Sequence, residues 1–253
     1  MKKNRELLLH WLFQEKYKRK WNKNFMADVL RLKRGEPLDY IIGWLPFLNC
    51  RIDLTYQPLI PRPETEFWVE QAISCIKTRA RLKKKRILIA DVFAGSGCIG
   101  LAVLKNVKNV RVDFAEIDKF LIKQIKVNLR LNKIPPRFHR VIRSDVFKNL
   151  KGRYDFILAN PPYLALKRKN KIQKSVLRYE NQQALFGGFD GLLYIKKFLQ
   201  EAKKHLKGGG QIWMEFDSWQ KQDIEKLLKK IGYGQFKFFR DQYNRWRYLK
   251  VEN

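Results

Sequence analysis

The sequence predicts an α/β protein built on a doubly wound sheet. Three observations carry that prediction. From residue 87 onward, short apolar runs alternate with stretches of helical period, the rhythm of strands and helices packed in layers. The 253 residues suffice for one catalytic domain and a small extra module, and a 45% hydrophobic content supplies a core. Several predicted strands run into glycine-rich, acidic or proline-rich loops, and in such sheets ligands sit at the carboxyl ends of strands.

Residues 4–34 read as helical, with Leu7, Leu8, Trp11 and Leu12 in one pattern and Met26, Val29, Leu30 and Leu32 in a second. Gly35-Glu36-Pro37 stops them. Residues 38–60 read as a β-hairpin, with Tyr40-Ile41-Ile42-Gly43 on one side and Arg51–Tyr56 on the other. Pro58, Pro61 and Pro63 fix an extended loop before a helix from about Glu64 to Thr78, and Arg79–Arg86 reads as a solvated linker. Strands are predicted at Ile87–Asp91, Val110–Glu116, His139–Arg143, Tyr154–Ala159 and Gly210–Phe216, with helices at Cys98–Asn106, Asp118–Leu131, Gly191–Leu206 and Ser218–Ile231. Two further strands, Gln235–Arg240 and Trp246–Val251, close the chain. The organisation expected is a helical module over 1–37, a hairpin linker over 38–63 and a catalytic domain over 64–253.

Composition excludes several function classes. No apolar run approaches the roughly 18 residues that span a membrane, and Leu7–Phe13 lacks a small-residue cleavage site, so the protein is expected in the cytoplasm. Cys50, Cys75 and Cys98 are far apart, which argues against a disulfide framework or a metal site. The net charge is +30. Such a surface attracts nucleic acid or ribosomes, and a lysine-rich composition accounts for it equally well.

The chemistry lies in the loops. After the first strand of the sheet comes Phe93-Ala94-Gly95-Ser96-Gly97, a tight turn onto a helix N-terminus, where a carboxylate is favoured. Glu116 ends the next strand, placed to accept hydrogen bonds from two ribose hydroxyls. Those two features suit a nicotinamide cofactor as well as S-adenosylmethionine. Asp145 and Val146 follow the third strand, where an acid can accept from an exocyclic amine or cap a helix. The deciding motif is Asn160-Pro161-Pro162-Tyr163. Its two prolines stiffen the loop and remove two N–H donors, so acceptors dominate the surface. The Asn160 side-chain oxygen and the Pro161 carbonyl can take both hydrogens of one planar –NH₂, and Tyr163 offers an aromatic face to an amide or base.

With these residues assembled, the chain resembles the peptide chain release factor N5-glutamine methyltransferases, within the Asn-Pro-Pro-Tyr class that also includes adenine-N6 enzymes. Three further stretches carry the likeness: Gly35–Gly43, Leu59-Ile60-Pro61-Arg62-Pro63-Glu64-Thr65-Glu66, and Tyr179-Glu180 with Ala184-Leu185, Gly187-Gly188 and Asp190-Gly191-Leu192. Asn128, twelve residues past Glu116, matches a family asparagine. The chain departs from the family pattern at Phe93, where a glycine is usual, at Glu116, where an aspartate is usual, and in a shortened amino-terminal module. The resemblance implies a Rossmann-like methyltransferase sheet with an antiparallel carboxy-terminal strand. It implies S-adenosylmethionine as cofactor, seated by Phe93, Ala94, Gly95, Ser96, Gly97, Glu116, Asp145, Val146 and Asn160. Catalysis is expected from Asn160, Pro161 and Tyr163, with Pro162, Arg62 and Glu64 completing the substrate site and no metal. The implied substrate is the glutamine of the Gly-Gly-Gln loop of a class 1 release factor. The alternative is an adenine-N6 or other nucleobase amine of RNA or DNA. A monomer is expected, with weak RNA or ribosome contact through its basic surface.

Overall fold

The computed structural model describes residues 2–83 and 85–252. The chain begins with α1 (Lys2–Glu15), α2 (Lys23–Lys33) and α3 (Leu38–Ile42). Asn22 caps α2 by accepting the N–H groups of Asn24 and Phe25. Leu12, Tyr17, Phe25, Val29 and Ile41 form a small core of their own. Asp28 is buried beside it; burial pushes its carboxyl up, but hydrogen bonds from Lys16, Tyr17 and Arg31 hold it below its ordinary range.

Residues 38–42 are helical, which corrects the expectation of a strand there. Pro37 precedes the helix, Asp39 sits in its first turn, and Gly43 closes it in the left-handed region, its N–H on the Asp39 carbonyl. These local signals outweigh the apolar run Tyr40-Ile41-Ile42. The hairpin lies just beyond: β1 (Trp44–Phe47) pairs antiparallel with β2 (Cys50–Asp53), turning at Leu48 and Asn49, both at positive φ. Helix α4 (Pro63–Leu82) runs further than expected, because no glycine or proline interrupts Arg79–Leu82. The expected solvated linker is therefore partly helix; Lys83 next to it is pinned 2.6 Å from Asp155, and Lys84 lies outside the described residues.

The remaining elements are β3 (Ile87–Val92), α5 (Cys98–Asn106), β4 (Val110–Glu116), α6 (Lys119–Leu131), β5 (His139–Arg143), β6 (Tyr154–Ala159), α7 (Lys174–Tyr179), α8 (Gln182–Leu185), α9 (Leu193–Ala202), β7 (Leu206–Glu215), α10 (Lys221–Ile231), β8 (Gln235–Arg240) and β9 (Trp246–Glu252). Helix α9 is shorter than expected and β7 longer, as Leu206 already pairs with Tyr154. The sheet order is β5-β4-β3-β6-β7-β9-β8. The first five strands are parallel; β9 runs antiparallel to both β7 and β8. The fold is the Rossmann-like α/β architecture predicted. Helices α4, α5 and α6 pack on one face, around Trp68, Leu101 and Ile125; α9 and α10 pack on the other, around Phe198 and Leu228.

The hairpin is fastened to α6. Gln124, Asn128 and Asn132 lie four residues apart on one helix face, and all three are buried. Their amides exchange hydrogen bonds with the backbone of Arg51, Asp53 and Tyr56. Asn128 also donates to the Ser96 carbonyl at 2.9 Å, tying the hairpin to the glycine loop.

Candidate active site

The order reverses at β3, where successive connections leave in opposite directions, and a ligand crevice is expected there. A cavity of about 740 Å³ occupies it, and the loops after β3, β4, β5 and β6 all contribute. That volume falls within the roughly 300–1,000 Å³ of ligand sites. Phe93, Ala94, Gly95, Ser96, Glu116, Asp145, Val146 and Asn160 line it together. Phe93 and Val146 both hold positive φ, 61° and 52°, a region that costs a side-chain-bearing residue about 1–2 kcal/mol. A glycine at position 93 avoids that cost.

Glu116 is buried in the cavity wall. Burial pushes its carboxyl up, opposed by N–H groups from Asp118, Gly95 and Ile117, all within 3.0 Å. Asp145 stands at the rim, 2.6 Å from the Lys197 ammonium, so part of its charge is already answered. Gly97 does not line the cavity. It is the N-cap of α5 at φ 79°, and an added Cβ would lie 3.3 Å from Ile125, so its bareness lets α6 approach. Ile117, Leu121, Tyr194 and Lys197 also line the cavity; Ile117, Leu121 and Tyr194 lie near strand and helix ends, and Lys197 mid-helix, none with a local motif.

A second cavity, of about 530 Å³, adjoins the first and takes in Pro161, Tyr163, Glu215 and Trp219. Four residues belong to both: Leu59, Arg62, Asn160 and Ala184. Asn160 and Arg62 are thus the polar part of the partition. Pro162 faces the first cavity, Pro161 and Tyr163 the second. The Pro161 carbonyl accepts no hydrogen bond among the described residues. Tyr163 is held at its rim, its hydroxyl donating to Glu215 at 2.9 Å. Burial, then the Glu215 charge, pushes its phenol well above the usual range. Glu64 lines neither cavity. In that stretch it is the neighbouring Thr65 that reaches the site: its hydroxyl donates to Glu215 at 2.7 Å and accepts from Asn160 Nδ2 at 3.4 Å.

The segment after the proline loop clamps it from above. The Leu164 N–H donates to the Leu185 carbonyl, and Gly187 donates to that of Leu164. Gln220 donates to the carbonyls of both Tyr163 and Gly191. At Gly191, φ is 71° and an added Cβ would lie 2.2 Å from the Tyr163 oxygen, so only glycine fits. Glu180 is buried and ion-paired with Arg62, which joins this segment to the partition. Beneath the glycine loop, Asp91 is fully buried with one oxygen on the Gly100 N–H and the other without a partner among the described residues; burial pushes its carboxyl up to about 8.

The model of the methyltransferase small domain matches residues 73–195. Over 226 residues the chain is 32% identical to the release factor glutamine methyltransferase of Flavobacterium psychrophilum, covering 88% of this chain and 78% of that one. The chain belongs to the release factor glutamine methyltransferase family. The Chlamydia trachomatis serovar D member is 35% identical over 202 residues, covering 79% of this chain and 67% of its own. Among solved structures, the catalytic domain of human METTL16 in complex with an RNA hairpin superposes with a TM-score of 0.61 at 17% identity, over 81% of this chain and 76% of that one. That last likeness speaks to the fold. The chain is a methyltransferase, and S-adenosylmethionine is its methyl donor. The larger cavity fits that group: a cleft with mainly apolar walls and one buried carboxylate at a strand end.

Proposed function

We propose that this protein transfers a methyl group from S-adenosylmethionine to the side-chain amide nitrogen of the glutamine in the Gly-Gly-Gln motif of a class 1 release factor. The observation that carries this reading is the partition. Two adjoining cavities are separated at Asn160, and a two-substrate transfer needs donor and acceptor to meet across one wall. When bound, the donor supplies an electrophilic methyl on a sulfonium. The residues Phe93, Ala94, Gly95, Ser96, Glu116, Asp145 and Val146 would hold it in the larger cavity, and Gly97 would aim α5 at it.

Asn160 Oδ1 and the Pro161 carbonyl accept the two amide hydrogens, which orients the nitrogen and stabilises positive charge as it forms. No strong base is required, because the cationic amide nitrogen formed on taking the methyl is very acidic and loses a proton to water, leaving the neutral N-methylamide. Tyr163, with its hydroxyl tethered, contributes a fixed ring to the acceptor cavity. Pro162 stiffens the loop, and Arg62 borders both ligands. The division proposed is a helical module over 1–37, a hairpin linker over 38–63 whose Phe47, Cys50 and Ile52 join the core of the main sheet, and a catalytic domain over 64–253. The basic surface favours weak contact with ribosomal RNA by a cytoplasmic monomer.

Asn160→Ala is expected to leave cofactor affinity largely intact while lowering turnover by roughly a hundredfold, the scale of one preorganised polar contact. Radiolabel transfer to a release factor and calorimetry with S-adenosylhomocysteine measure the two effects. Undiminished turnover would remove Asn160 from the reaction.

A further inference from the structure

An asparagine amide has an accepting end and a donating end, and the proposed chemistry needs the accepting end to face the substrate nitrogen. Something must decide which way Asn160 points. Its backbone does not, since both orientations fill the same space. Its neighbours do.

Glu215, at the end of β7, is fully buried and draws donors from two other parts of the fold. Its Oε2 accepts from Trp68 Nε1 and from Thr65 Oγ1, both at 2.7 Å, and its Oε1 accepts from Tyr163. The indole N–H can only donate, and with Glu215 ionised, as its three donors and the nearby Arg247 charge favour, Oε2 can only accept. The single Thr65 proton is therefore committed to Glu215. Toward Asn160, Thr65 has only a lone pair left, and only an N–H₂ can answer it. The 3.4 Å contact is thus Nδ2 donating to Oγ1, and Oδ1 is turned the other way. Thr65 is 2% exposed, so water does not compete for that lone pair freely.

We infer that Thr65, held by Glu215, is a positioning residue that fixes the Asn160 amide with its oxygen toward the acceptor. This rests on the reading of Asn160 given under the proposed function. It also explains why the stretch Arg62-Pro63-Glu64-Thr65-Glu66 sits where it does. Helix α4 opens there, so that Thr65, in its first turn, reaches both β7 and the proline loop. Glu215 draws from both walls of the site at once, since Tyr163 and Thr65 meet on one carboxylate.

The test is a double-mutant cycle on the full chain, with a release factor as acceptor. Thr65→Val keeps the shape and removes the hydroxyl. It is expected to lower kcat roughly tenfold, the worth of about one net hydrogen bond, with the affinity for S-adenosylhomocysteine and the acceptor KM changed less than about twofold. Thr65→Ser restores the hydroxyl and is expected to recover most of the turnover. In an Asn160→Ala background the Thr65→Val change is expected to cost nothing further, because its effect passes through the missing amide. A Thr65→Val enzyme with wild-type kcat overturns the inference. So does an equal loss in Thr65→Ser, or the same fold-loss with Asn160 absent, since either means a packing role. If Asn160→Ala itself turns over normally, the underlying reading of Asn160 falls and takes this one with it; if only the Thr65 variants are silent, the reading of Asn160 stands alone.

Discussion

Gly191→Ala tests how tightly the acceptor loop is clamped. The added methyl would lie 2.2 Å from the Tyr163 carbonyl oxygen and 2.7 Å from Gln220 Nε2, where real carbon contacts begin near 3 Å or beyond. Something must move by about 1 Å, and the neighbours are backbone or a side chain with two hydrogen bonds. The left-handed φ of 71° adds about 1–2 kcal/mol for alanine. Loss of the Gln220 bond to Tyr163 adds about 1 kcal/mol, and overpacking adds about 1–3 kcal/mol. Together these give a destabilisation of about 3–6 kcal/mol. A shift of about 1 Å in a catalytic loop costs on the order of a hundredfold in rate. Turnover measured by label transfer, beside a melting curve, reads both. Gly208→Ala serves as control, because an added Cβ there meets nothing within 4 Å. A Gly191→Ala enzyme with wild-type kcat would refute the clamp.

Asp91→Asn separates a buried carboxyl from the rest of the titration. The folded value is raised to about 8, so the stability this group contributes is present below its unfolded value near 4 and is lost as pH rises toward 8. The melting temperature of the wild type relative to Asp91→Asn should therefore fall steadily from pH 5 to pH 8; a difference flat with pH contradicts the assignment. Glu116→Ala should weaken binding of S-adenosylhomocysteine by roughly tenfold or more, the loss of a charged hydrogen-bond acceptor, while sparing release factor affinity in pull-down; unchanged cofactor affinity means Glu116 does not reach the ligand.

Much of this architecture was legible in the chain. The boundaries of α5, β4, β5 and β6 follow from apolar runs bounded by Gly97, Asn109, Arg143 and Asn160. The Asn-Pro-Pro-Tyr loop stood out because its prolines have few other uses after a buried strand. What stayed hidden was contact at long range. Thr65 and Glu215 are 150 residues apart, and each reads locally as an ordinary helix start or strand end. The hairpin was placed too early because Tyr40-Ile41-Ile42 is apolar in any conformation, and only the Pro37 and Gly43 caps make it a helix. Gly97 read as a cofactor contact because its role toward Ile125 depends on where α6 packs. Lys197 could not be foreseen beside Asp145, since 52 residues and several elements intervene.

The central claim is most directly tested by labelled S-adenosylmethionine offered with three acceptors: a class 1 release factor, the same factor with Gly-Gly-Gln changed to Gly-Gly-Ala, and total RNA with duplex DNA. The account predicts label in the first alone. Label confined to nucleic acid would contradict it and make the basic surface the substrate-binding face.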